Sequence, residues 1–177
     1  MKTYLAALGV ALAMVPLVSI AAPPKASPAA EKQLWAFAER VALALPGNVG
    51  DVQRLLPGTE HSATARAGTD SRAAPTELAP SLFVTNAAVV MGDDRRATSA
   101  SFDVTGSCVS MASMRTRYPS VIVMDYARGD NEHATYTFGA QVGDAIIAYS
   151  FPAKHLGCMS RVEVTPAKET KSRLGIQ

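Results

Sequence analysis

Between residues 34 and 45 the large apolar side chains recur with a helical period. Leu34, Phe37, Ala38, Val41 and Leu45 fall at i, i+3, i+4, i+7 and i+11, one stripe of an α-helix, and Glu31, Lys32, Glu39 and Arg40 fall mostly off it. Ser27-Pro28 supplies the start, a capping hydroxyl followed by a proline whose missing N–H costs nothing in the first turn. Pro46-Gly47 supplies the stop. Trp35 lies beside the stripe, where it either faces a partner or closes the edge of its own core. The second is the commoner use of a lone tryptophan on an amphipathic helix. Asn48 and Asp51 mark a second, shorter helix through Val52, Leu55 and Leu56, ended by Pro57-Gly58.

From Ser81 onward the period changes to two. Leu82 to Met91 reads as a strand and Gly92-Asp93-Asp94 as its turn, with Ala97 to Val104 returning. Ser107 to Arg117 breaks the alternation. Cys108, Met111, Ala112 and Arg115 share a helical face there, Ser107 can cap it, and Pro119 stops it. Ser120 to Tyr126, His133 to Val142, Ala145 to Phe151 and Met159 to Thr165 then read as strands. Arg128-Gly129-Asp130-Asn131 and Gly143-Asp144 mark turns between them, the latter a two-residue hairpin signal. The fold class predicted is α+β, helices packed on one face of a mostly antiparallel meander of about six strands.

Composition divides the chain further. Lys2 followed by the apolar run Leu5 to Val18 and Ser19-Ile20-Ala21 reads as an export signal over residues 1–21, cleaved after Ala21. The run of about 14 residues is too short to span a hydrocarbon core of about 30 Å. No cysteine stands near the cleavage point, which excludes a bacterial lipid anchor. The expected product is periplasmic or secreted, with no membrane association after cleavage. Residues 22–57 form a helical segment, 58–80 a linker or mobile loop of small and polar residues, 81–165 the sheet region, and 166–177 a flexible tail.

The formal net charge is +2, or +1 once Lys2 leaves with the signal. No basic block stands out, so the phosphate-neutralising surface that nucleic-acid binding needs is absent. The two cysteines of an exported chain read as one disulfide, Cys108 to Cys158, fastening the inserted helix to the sheet edge. Closing a loop of about 50 residues stabilises a fold by about 4 kcal/mol in the chain-entropy model.

The search for catalytic chemistry finds little. There is no G-x-S-x-G, H-E-x-x-H, D-x-D-x-D or phosphate-cradling Gly-rich loop. His133 and His155 fall at strand ends or loops, with no partner identifiable in sequence. Asp130, Glu132 and His133 form a local acidic-imidazole cluster whose plainer reading is a polar turn. No cofactor or metal is expected. Sugar stacking would have one tryptophan and few exposed aromatics to work with.

The helix over Ala29 to Leu45 with Leu55-Leu56-Pro57 after it, Cys108 leading to Arg117-Tyr118-Pro119, and Cys158 before the last strand resemble the layout of small exported bacterial proteins. Some of these are periplasmic immunity proteins that neutralise toxic effectors. The resemblance implies a non-enzymatic binding protein with a protein partner and assigns no binding residue. The turns carry the candidate contacts: Asp93 and Asp94 in one, Arg128, Asp130, Glu132 and His133 in the other. The rival expectations are an envelope hydrolase with a spatially assembled site, and a structural envelope subunit.

Overall fold

The computed structural model describes residues 22–56, 59, 75–92, 96–128, 134–154 and 157–176. The segment read as an export signal lies outside them. Ser27 Oγ accepts from the Ala30 N–H and opens α1 (Pro28–Ala44), with proline in the first turn. All five residues of the apolar stripe are buried, and Trp35 is buried beside them. Asn48 Oδ1 accepts from the Gly50 N–H and opens α2 (Val49–Leu55), whose Val52 joins the same core.

The sheet has seven strands: β1 (Thr76–Ala79), β2 (Leu82–Met91), β3 (Ala97–Gly106), β4 (Ile122–Asp125), β5 (Thr135–Val142), β6 (Ala145–Pro152) and β7 (Arg161–Pro166). Their order is β1-β2-β3-β7-β6-β5-β4, and every neighbouring pair is antiparallel. It is therefore two meanders rather than one. After β3 the chain crosses to the far edge through α3 (Met111–Arg117), then returns strand by strand until β7 pairs with β3.

Three differences from the sequence reading have physical reasons. The seventh strand, β1, emerges at the end of the segment read as a linker. Its four residues carry one large aliphatic side chain, Leu78, so pairing with β2 rather than local pattern makes it a strand. The polar tail is the helix α4 (Ala167–Leu174), which folds back on β6 and β7 and ties down through the Thr165–Thr170 hydroxyl pair at 2.7 Å. Ser110, not Ser107, caps the inserted helix, because Cys108 and Ser110 are held extended by bridges to Lys25 and Cys158.

Register fixes which face is which. Phe102 stands opposite Val162, Val162 opposite Tyr149, and Tyr149 opposite Phe138, all buried on the face beneath α1. Phe37 of α1 meets Phe102 edge-on, ring centroids 5.2 Å apart. The opposite face is polar along β3 and β7. Arg161 donates to Asp103 at 3.0 Å and to Ser101 at 2.8 Å, and Asn86 donates to Asp103 at 2.8 Å. Asn86 takes φ +49° at the β2 bulge, a conformation asparagine tolerates better than most residues. Gly106 at φ +91° has no such latitude, since a Cβ there would lie 2.1 Å from the Ser81 carbonyl oxygen.

Cys108 and Cys158 are bonded, with their Cα atoms 4.8 Å apart. The anchor point differs from the expected one. Cys158 leads into β7, the middle strand, so the bond fastens the approach to α3 to the centre of the sheet's end and not to an edge. The same point holds the start of the chain: Ala26 N–H donates to the Cys108 carbonyl at 2.8 Å, and Cys108 N–H to Pro24 at 2.7 Å.

Candidate functional site

Of the residues singled out in the turns, Asp93, Asp94, Asp130, Glu132 and His133 lie outside the described residues, as do His61 and His155. Arg128 is exposed, its guanidinium 5.2 Å from the centre of the Tyr126 ring. The strands that bound the two turns end at opposite ends of the sheet. Ala97 is on the side of Val142 and Ala145, whereas Thr135 is on the side of Pro152.

What the fold assembles instead is a groove of about 720 Å³ between α1 and α3, in the volume range of small-molecule sites. Glu31, Trp35 and Glu39 recur every four residues along α1, one line just beside the core stripe, so they share a face. Ser113 and Arg117, also four apart, face them from α3. Lys25 and Lys32 stand at the end nearer the start of α1.

The facing side chains are bonded in two groups. Ser113 Oγ donates to Glu31 Oε2 at 2.5 Å, while Glu31 Oε1 is buried and makes no hydrogen bond among the described residues. At the other end Glu39 Oε1 accepts three hydrogen bonds. Arg117 gives two, from Nε at 3.2 Å and Nη2 at 2.7 Å, and Tyr118 gives one at 2.8 Å. Tyr149 donates in turn to the Tyr118 hydroxyl at 3.0 Å. Trp35 sits edge-on to both tyrosines, at 6.0 Å from Tyr118 and 5.4 Å from Tyr149, and the tyrosine rings stack at 5.5 Å. The tryptophan therefore closes its own core, as the sequence favours.

These contacts shift the tyrosines. Burial, which penalises the phenolate, pushes Tyr118 up to about 12, and the neighbouring Glu39 carboxylate acts in the same direction. Burial again, then Tyr118, raises Tyr149 well above its ordinary range. The bonded Glu39 carboxylate raises Arg117. An unfolded tyrosine titrates near 10, so the neutral Tyr118 contributes stability fully present below pH 10 and lost as pH rises from about 10 to about 12. Urea midpoints measured across that window are expected to fall, and to fall less steeply in Tyr118→Phe. Equal slopes in the two proteins would contradict the assignment.

Ser113 and Glu31 meet directly, hydroxyl to carboxylate, with no imidazole or amine between them. Glu39 is spent as an acceptor for Arg117 and Tyr118. Among the described residues no three His, Cys, Asp or Glu side chains cluster as metal ligands, and no helix is long and apolar enough to cross a membrane. Sequence reasoning passed over Glu31, Glu39, Ser113 and Tyr118 as site residues. The four-residue spacing of Glu31, Trp35 and Glu39 was the available signal. Compared with family models, curated proteins and solved structures, the chain has no match.

Proposed function

We propose that this is an exported, non-enzymatic binding protein that meets a partner protein in the groove between α1 and α3, an inhibitor of the immunity type being one such role. The observation that carries this reading is a groove built from stiff parts. Two of its residues, Lys25 and Ser110, are backbone-bridged to Cys108 and Cys158, so the disulfide fixes the groove's end. Its acidic groups are held by partners on the facing helix. Side chains ordered before binding lose little entropy on binding, and that favours recognition. The export-like residues 1–21 and the disulfide both suit an oxidising compartment outside the cytoplasm, the periplasm in a bacterial cell.

Ala112 lines the groove from α3 and is exposed. Ala112→Trp is expected to fill the groove while changing stability by no more than about 0.5 kcal/mol, the usual range for a surface position. Tagged protein recovered from the envelope of its own cell is expected to bring down one stoichiometric partner, and the Ala112→Trp variant to lose it. A Ser172→Trp variant, altered on the exposed side of α4, should keep it. A partner retained by Ala112→Trp, or no partner with the unaltered protein, would overturn the reading.

A further inference from the structure

Resting on that reading of the groove, we infer that the partner presents an acidic segment, rich in Asp and Glu, to the groove's Lys25–Lys32 end. The charges of the two walls are unequal. The groove's charged lining is three basic side chains, Lys25, Lys32 and Arg117, against two acidic ones, Glu31 and Glu39. Arg117 is paired with Glu39, which leaves, at the groove's other end, Lys25 and Lys32 against the single carboxylate of Glu31.

The hydrogen-bond and ion-pair partners are unevenly distributed along the groove. Glu39 is taken up by Arg117 and Tyr118. Glu31 holds Ser113 with one oxygen, and its other oxygen is buried out of a partner's reach. Lys25 and Lys32 are exposed, line the groove, and have no carboxylate within bonding distance among the described residues. An arriving segment therefore meets two ammonium groups with no ion pair among the described residues, beside one carboxylate, Glu31, whose unbonded oxygen is buried. Charge complementarity of this kind steers association and selects partners. A protein segment fits better than an acidic polysaccharide, because Trp35 is buried edge-on against Tyr118 and Tyr149 and offers no face for sugar rings.

The test uses a fluorescein-labelled polyglutamate peptide, with polylysine and polyphosphate as counterparts, followed by anisotropy at low and physiological salt. The full chain is expected to bind polyglutamate, more weakly as salt rises, and not polylysine. Lys25→Glu with Lys32→Glu is expected to weaken binding about tenfold, since each reversed charge replaces an attraction with a repulsion. Lys168→Glu with Lys171→Glu, on α4, should leave it unchanged. Polyglutamate that fails to bind, equal binding by both double variants, or tighter binding to polyphosphate would overturn the inference. Failure here is distinguishable from failure of the groove itself. A natural partner lost by Ala112→Trp but retained by Lys25→Glu/Lys32→Glu would leave the groove assigned and its acidic occupant wrong.

Discussion

Replacing both Cys108 and Cys158 by alanine is expected to lower the free energy of unfolding by about 4 kcal/mol. The bond closes a loop of sequence separation 50, and opening it restores that loop's freedom to the unfolded chain. The magnitude is large against the roughly 5–15 kcal/mol of a typical domain. The damage is also local in the folded state. Lys25 pairs with Cys108 and Ser110 with Cys158, and the Met159 N–H donates to Val109 at 2.8 Å, so one bond holds the chain's start, the approach to α3 and the lead into β7. Urea unfolding of the oxidised protein and of the double alanine variant measures the difference directly. A change below about 1 kcal/mol would mean the cross-link does not constrain the chain as described.

Phe102→Ala is expected to cost a comparable amount, about 3–5 kcal/mol. Its side chain is 0 % exposed, opposite Val162 in register and edge-on to Phe37 of α1, so truncation leaves a cavity where sheet and helix meet. Val90 provides the comparison, at 54 % exposure on the other side of the sheet. Val90→Ala should change stability by no more than about 0.5 kcal/mol. The pair of results, read from denaturation midpoints, establishes which sheet face is the core. Similar costs at the two positions would contradict the layering.

How much of this was legible follows from the range of each signal. The start, stripe and end of α1 depend on residues at most a few turns apart, and all were readable from Ser27, Leu34 to Leu45 and Pro46-Gly47. The β5–β6 hairpin was readable from Gly143-Asp144 for the same reason, with Gly143 at φ +57° in the turn. The position of β7 between β3 and β6 was not, because strand order is decided by packing between distant segments and leaves no trace in a period of two. β1 and α4 are short and poor in large apolar residues, so tertiary contact rather than propensity makes them regular.

The groove was the least legible feature. Its hydrogen bonds join residues 82 apart in Glu31–Ser113 and 79 apart in Glu39–Tyr118. In sequence Glu31 and Glu39 resemble any solvated residues off a core stripe, and Tyr118 resembles the last residue before a helix stop. Only the crossing of α3 over the sheet, fixed by the disulfide, brings them opposite one another. The strands that flank the two more polar turns end at opposite ends of the sheet.

The binding role of the groove is tested most directly by photo-cross-linking in the cell. A benzophenone side chain placed at Ala112 reports what lies in the groove, and one at Ser172 reports the exposed side of α4. A single protein adduct of defined mass from Ala112, with none from Ser172, is the expected result. Adducts from Ser172 alone, or none from Ala112 in cells that hold the protein folded and oxidised, would contradict it.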